Sequence, residues 1–164
     1  MKNTIVFDSS TLILLAKISL LRSITQKVKC IITDTVENEC VRKDAYDSKV
    51  IKELINEGLL KNVNTKPGGL SKIKNDFNIQ DGEASSLVIA IKEKYILATD
   101  DGPTIKACVI LDVDFATAIH FVVRSYKNGL IDKKSALEKI FGLEKYGRYK
   151  PQMIEDAKQK IEGD

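Results

Sequence analysis

Short runs of aliphatic and β-branched residues alternate with longer helical patterns along this chain. The clearest runs are Thr4–Phe7, Cys30–Thr33 and Tyr95–Thr99, with weaker candidates at Leu60–Val63 and Val113–Phe115. Each run is too short and too apolar for a half-exposed antiparallel strand, whereas parallel strands are covered on both faces. The alternation therefore predicts an α/β fold with three α/β/α layers around a short central parallel sheet.

Helical patterns fill the segments between the predicted strands and continue after the last one. We expect a helix over Gly82–Lys94 capped by Asp81, and another over Ser48–Leu60. Thr65–Asn78 contains glycines and a proline before a short Lys-rich helix, so it is predicted to be flexible. Extra C-terminal helices are predicted at Ala116–Asn128, Asp132–Tyr146 and Pro151–Ile161.

Size and composition exclude several classes of protein. The 164 residues fit one domain, which we divide into a core of residues 1–125 and a helical extension of residues 126–164. No apolar run approaches the ~18 residues of a membrane-spanning helix, and the N-terminus lacks a signal-peptide pattern. The three cysteines include no CxxC pair, so reduced thiols and a cytoplasmic location are expected. A net charge of +3 permits a polyanionic partner without requiring one.

Acidic residues stand where the predicted strands end. Asp8 directly follows the first strand, and Asp100 and Asp101 follow the third clear one. Glu83 lies in the first turn of the helix before that strand, and Glu39 lies in the helix after the second strand. Open parallel sheets bind ligands outside the carboxyl ends of their strands, at the point where the strand order reverses. We therefore expect these acids to gather at one edge of the sheet.

Such a cluster, with no Lys, Arg or His among its members, would be repulsive. Each pair at ~4 Å would cost on the order of 1–4 kcal/mol. Mg²⁺ or Mn²⁺ would remove this cost, because Mg²⁺ binds carboxylate oxygens and retains waters that can serve phosphodiester chemistry. Every acid also has a simpler alternative as a helix cap, a first-turn residue or part of a turn. Their shared placement at one edge favours the metal site.

The order and spacing of these residues resemble the PIN domain family over Thr4 to about Phe121. The matching segments are Phe7-Asp8-Ser9-Ser10, Thr35-Val36-x-x-Glu39, Asp81-Gly82-Glu83-Ala84 and Thr99-Asp100-Asp101. PIN domains are metal-dependent ribonucleases, so the resemblance implies hydrolysis of RNA with Mg²⁺ or Mn²⁺ as cofactor. The last two segments look most like PIN proteins of the prokaryotic toxin kind. The chain departs from the family after the last acid, where Gly102-Pro103 replaces the basic residue that the family often has.

The resemblance also implies roles for individual residues. It implies that the catalytic residues are Asp8, Glu39, Glu83 and Asp101. It implies that the metal is bound by Asp8, Glu83, Asp100 and Asp101, and that the substrate is bound by Ser10 and Lys106. Its implied partners are RNA, an antitoxin protein and a second copy of the chain in a homodimer. The C-terminal helices and the apolar stripe Leu12, Leu15 and Ile18 are candidate dimer surfaces.

Two other functions stay open on the sequence alone. A receiver-like or phosphoryl-transfer domain would also place acids at strand ends, although no Lys follows the last predicted strand. The segment Asp8-Ser9-Ser10 lacks the second Asp of dehalogenase-like phosphatases. A non-catalytic PIN-like domain would bind RNA or protein without cutting.

Overall fold

A single parallel sheet organises the molecule. The computed structural model describes residues 3–63 and 68–163, and within them the strands are β1 Thr4–Phe7, β2 Lys29–Thr33, β3 Leu60–Val63, β4 Ile96–Ala98 and β5 Phe115–Ala116. They form one sheet in the order β3-β2-β1-β4-β5, and every neighbouring pair is parallel. The strand order reverses between β1 and β4, so Asp8 and the Asp100-Asp101 pair end adjacent strands. The predicted α/β/α architecture is confirmed.

Ten helices accompany the sheet in the described ranges. They are α1 Ser9–Lys17, α2 Leu21–Thr25, α3 Asp34–Val41, α4 Tyr46–Asn56, α5 Leu70–Phe77, α6 Asp81–Glu93, α7 Gly102–Leu111, α8 Ala118–Lys127, α9 Lys133–Tyr146 and α10 Pro151–Glu162. The short helix α2 was not expected from the sequence. Of the segment predicted to be flexible, Thr65–Asn78, residues 65–67 lie outside the described part and the rest contains α5.

Alternate strand side chains enter two separate cores, which is why the strands are apolar throughout. Ile5 and Phe7 of β1 pack with the first core, together with residues of α1, α4, α8, α9 and α10. Val6 lies on the other face, where it packs with Leu87 of α6 and Ala107 of α7. Because successive side chains of a strand point to opposite faces, both faces of β1 are covered by packed side chains.

Three predicted boundaries shift for identifiable reasons. Helix α4 ends at Asn56, not Leu60, because Gly58 adopts a left-handed conformation (φ +74°) that ends the helix and frees Leu60 for β3. Helix α6 begins at Asp81 because Gln80 is the N-cap. The last strand is Phe115–Ala116, since the left-handed Asp112 (φ 54°) ends α7 and β4 pairs with Phe115 and Ala116.

The C-terminal helices belong to the first core. Ile140 and Leu143 of α9 and Ile154 and Ile161 of α10 are buried there with α8 and α1. The stripe proposed as a dimer surface lies in this same core, at Leu12, Leu15 and Ile18. That expectation is wrong, because these side chains are at most 7% exposed within one chain.

Candidate active site

Asp8 lies at the acidic edge, at the junction of β1 and α1. It is the N-cap of α1, and its Oδ1 accepts hydrogen bonds from the Ser10 hydroxyl (2.6 Å) and the Thr11 backbone N–H (3.3 Å). Its Oδ2 accepts a hydrogen bond from the hydroxyl of Thr99, which follows β4. The cap alternative and the site are therefore compatible, since capping uses one oxygen and fixes the carboxylate at the sheet edge.

The Asp8 carboxyl group is fully buried, and burial is expensive for its charge. Burial is the largest cause that raises its pKa from 3.8 to about 7, against the hydrogen bonds from Ser10, Thr99 and Thr11 that lower it. The charge of Glu83 raises the pKa further. In the described residues no cation is paired with Asp8, so its negative charge is uncompensated.

Glu83 at the start of α6 interacts with Asp8, and Glu39 of α3 lies against the same turn of α6. The Glu83 Oε2 accepts a hydrogen bond from the Gln80 N–H (2.9 Å), which completes the N-terminus of α6. Burial and then the charges of Asp101 and Glu39 raise the pKa of Glu83. A Cβ atom on Gly82 would lie 2.6 Å from both carboxylate oxygens of Glu39, so only glycine lets Glu39 lie against the start of α6.

Asp101 completes the group of acids from the end of β4. It is the N-cap of α7, and its Oδ2 accepts hydrogen bonds from the Thr104 N–H (3.1 Å) and hydroxyl (2.6 Å). No hydrogen bond reaches its Oδ1 from the residues described. Charge interactions connect Glu83 to each of Asp8, Glu39 and Asp101. These four residues are hereafter called the acid group.

Asp100 has a different environment from Asp101. Its Oδ2 accepts hydrogen bonds from the Thr11 hydroxyl (2.5 Å) and the Ala118 N–H (3.0 Å), and its Oδ1 accepts one from the Tyr149 hydroxyl. Burial and the neighbouring Asp100 charge raise the pKa of Tyr149, so its phenol is protonated and donates. Both oxygens of Asp100 are therefore engaged by protein groups.

The donor chemistry of the acid group fits a hard divalent cation. All its ligand atoms are carboxylate oxygens, and within residues 3–63 and 68–163 none of the four acids has a Lys, Arg or His partner. In the same ranges no three His, Cys, Asp or Glu side chains converge into a preformed metal site. A cation would thus have to draw these side chains together, and the free oxygens of Glu39 and Asp101 are available for this movement.

Ser10 and Lys106 are the remaining candidates. Ser10 bonds to Asp8 and accepts the Asp100 N–H (2.9 Å), so in this structure it orients an acid. Lys106 is exposed on α7. Sequence reasoning did not identify Thr99 and Gly82 as contributors. A glycine next to Glu83 in the first turn of a helix was the available signal for Gly82, because glycine is costly inside helices.

The sulfur and imidazole groups have other roles. Cys40 and Cys108 are buried, and burial raises their thiol pKa values to about 12 and about 11, which opposes thiolate chemistry. The Nδ1 of His120 accepts the Thr117 N–H (3.1 Å) at the start of α8. This imidazole therefore caps a helix.

Comparison with known proteins identifies the class to which this architecture belongs. Residues 4–163 match the family model DUF3368, which is described as a PIN domain. The chain therefore belongs to the PIN domain family, as the resemblance of its acidic segments indicated, and the match extends through the C-terminal helices. The comparison with curated proteins gave no match.

Proposed function

We propose that the protein is a divalent-metal-dependent ribonuclease that hydrolyses phosphodiester bonds of RNA. The observation that carries the proposal is the buried, uncompensated Asp8 carboxylate, whose pKa is raised partly by Glu83. Membership of the PIN family, whose members are generally metal-dependent nucleases, supports this proposal. A buried carboxylate without a cation destabilises a fold. A metal ion bound by Asp8 would remove this cost.

In this proposal Asp8, Glu39, Glu83 and Asp101 hold Mg²⁺ or Mn²⁺ and are the catalytic residues. Glu39 is added to the metal ligands that the resemblance implied, and Asp100 is assigned below to positioning. A bound divalent ion would supply stabilisation of negative charge on phosphate oxygens and activation of water. Ser10 and Thr99 hold the Asp8 carboxylate at the sheet edge by their hydrogen bonds. Thr104 holds one Asp101 oxygen and leaves the other open.

We further propose that Lys106 contacts RNA phosphate. It is exposed in the second turn of α7, the helix that Asp101 caps. Phosphate contacts by Lys supply sequence-independent, salt-sensitive affinity. The family's frequent basic residue after the last acid would thus be replaced by a lysine five positions after Asp101.

A toxin role with an antitoxin and a homodimer is the finer part of the proposal. Val109 and Ile110 near the end of α7 are 68% and 70% exposed, and neighbouring exposed apolar residues favour a protein contact. No helix in the described ranges is long and apolar enough to cross a bilayer. A cytoplasmic location completes this interpretation.

The test is cleavage of a labelled single-stranded RNA, with a DNA of the same sequence in parallel. We expect cleavage with Mn²⁺ or Mg²⁺, none with EDTA, and losses on the order of a hundredfold or more for Asp8→Asn and Glu83→Gln. Glu93→Gln is the matched control, because Glu93 is exposed at the opposite end of α6.

Each alternative predicts a different outcome. Equal cleavage by Asp8→Asn and the parent would assign the activity to another site or to a contaminant. Mn²⁺ binding without cleavage of either nucleic acid would favour the non-catalytic PIN-like domain. A labile aspartyl phosphate formed from acetyl phosphate would favour the receiver-like alternative.

A further inference from the structure

Asp100 connects four segments of the chain that are distant in sequence. It follows β4, accepts the Thr11 hydroxyl of α1 and the Ala118 N–H at the start of α8, and accepts the Tyr149 hydroxyl from the α9–α10 connection. Hydrogen-bond donors of the protein therefore occupy both of its oxygens. Asp101 differs from Asp100, because its Oδ1 accepts no hydrogen bond from the described residues.

A continuous path of hydrogen bonds joins Tyr149 to Asp8. The Tyr149 hydroxyl donates to Asp100 Oδ1, the Asp100 backbone N–H donates to Ser10 Oγ (2.9 Å), and the Ser10 hydroxyl donates to Asp8 Oδ1 (2.6 Å). We propose that Tyr149 and Asp100 are positioning residues that couple the C-terminal helices to the Asp8 carboxylate. This inference rests on the proposed function, since it concerns how the acid group is prepared to bind metal.

The conformation of the α9–α10 connection fixes the Tyr149 ring. A Cβ atom on Gly147 would lie 2.6 Å from Cε2 of Tyr149 and 2.9 Å from the Leu143 carbonyl. The ring thus lies directly on the glycine backbone, and its hydrocarbon part packs against the first core. A tyrosine held in this way presents its hydroxyl at a defined position, as a residue that orients a metal ligand must.

The same extension also holds the far end of α1, without contact to the acid group. The Lys139 ammonium group of α9 donates to the carbonyl oxygens of Ile18 (2.8 Å) and Ser19 (3.4 Å). A Cβ atom on Gly142 would lie 2.9 Å from Ile18 Cγ2, so α9 and α1 approach closely there. The extension therefore contacts the C-terminal end of α1 directly, and it reaches the N-terminal end only through Asp100, which accepts the Thr11 hydroxyl.

The two contacts allow a purely structural role to be separated from positioning. Tyr149→Phe removes only the hydroxyl that reaches Asp100, whereas Lys139→Met removes the contact at the far end of α1. Tyr146→Phe is the matched hydroxyl deletion, since Tyr146 is 48% exposed and lies against the Lys17 and Lys145 ammonium groups. Mn²⁺ dissociation constants are measured by calorimetry on metal-free protein, and Tm by circular dichroism.

We expect Tyr149→Phe to raise the Mn²⁺ dissociation constant several-fold. This is less than the roughly tenfold or larger effect of removing a group bonded directly to a metal ligand, because Tyr149 reaches Asp8 through Asp100 and Ser10. Cleavage by this variant should recover at high Mn²⁺. Tyr146→Phe should leave the Mn²⁺ dissociation constant unchanged. Lys139→Met should lower Tm but also leave the dissociation constant unchanged. A Tyr149→Phe protein with lower Tm but the parental constant would show a structural role only and overturn the inference.

Asp100→Asn separates positioning from direct ligation. Its amide can donate to the Tyr149 oxygen while its carbonyl accepts from Thr11 and Ala118, so we expect a smaller loss of Mn²⁺ affinity than for Asp101→Asn. Loss as large as that of Asp8→Asn would make Asp100 a ligand and overturn the inference. If the parent protein binds no Mn²⁺, both this inference and the proposed function are overturned. If the parent binds Mn²⁺ and cleaves RNA, and Tyr149→Phe has the parental dissociation constant, only this inference is overturned.

Discussion

The molecule contains two groups of neighbouring carboxylates that differ in how their charge is compensated. On the surface, Arg22 forms ion pairs with Glu57 (2.7 Å) and Glu53 (3.4 Å), and all three side chains are at least 42% exposed. At the sheet edge, Asp8 is fully buried and has no cation partner among the described residues. The negative charge of Glu83 repels the ionised Asp8 carboxylate and raises its pKa. Water and a guanidinium group stabilise the first group, whereas in the described residues only hydrogen bonds from Ser10, Thr11 and Thr99 stabilise the Asp8 carboxylate.

Of the variants considered, Asp8→Asn should change the free energy of unfolding most. A pKa raised from 3.8 to about 7 means that the ionised carboxylate destabilises the folded state by up to about 4 kcal/mol. Asp8→Asn should therefore raise the free energy of unfolding at pH 8 in EDTA by up to this amount, although it should abolish cleavage. Urea unfolding followed by circular dichroism measures it.

The pH dependence gives the sign of the same effect. Between pH 3.8 and about 7 the folded state binds more protons at Asp8 than the unfolded state does, so this contribution falls as pH rises. Asp8→Asn should lack this decline. Asp132→Asn is the control, because Asp132 is the exposed N-cap of α9 and Asn caps equally well. An unchanged pH profile in Asp8→Asn would contradict the assignment.

Added Mn²⁺ should stabilise the acidic edge and leave the surface group unaffected. Binding to the folded state alone contributes about 2.7 kcal/mol at a hundred times the dissociation constant. The gain should be larger at pH 8 than at pH 5, since protons compete for Asp8. It should disappear in Glu83→Gln and with EDTA. Equal stabilisation of the parent and Glu83→Gln would place the bound ion elsewhere.

Gly82→Ala should affect metal binding more than stability. The new Cβ would meet the Glu39 carboxylate at 2.6 Å, and this flexible end of a side chain can move away at little cost. We expect about a tenfold rise in the Mn²⁺ dissociation constant, as when the orientation of a ligand is lost, with Tm nearly unchanged. Gly102→Ala is the control, because its Cβ would meet no atom within 4 Å. Equal constants for both variants would contradict the role of Gly82.

The sheet and its acidic edge could be predicted because their signals are local. Asp8 and Asp101 directly follow buried strands, and parallel strands end at the same edge, so the pattern of the sequence already brings them together. Glu83 follows from its place in the first turn of α6. The pairing of β1 with β4 then confirms that their ends are neighbours.

The distinction between Asp100 and Asp101 could not be predicted, because it depends on distant residues. Both follow the same strand, and the donors that engage the Asp100 oxygens, the Thr11 and Tyr149 hydroxyls and the Ala118 N–H, come from distant parts of the sequence. The proximity of Glu39 to Gly82 is likewise a contact between two helices. The burial of Leu12 and Leu15 depends on where α3, α4 and α9 pack against α1, and the stripe alone does not contain that information.

The smallest expected effect comes from the surface group. Arg22→Ala leaves Glu53 and Glu57 hydrated, and exposed ion pairs contribute little to stability. We expect a small decrease in Tm at low salt that vanishes in 1 M NaCl, because salt screens exposed charges. The effect of Asp8→Asn should persist at that salt concentration, since its cause is burial. If salt instead removed the Asp8→Asn effect and left that of Arg22→Ala, the contrast between compensated and uncompensated carboxylates would be wrong.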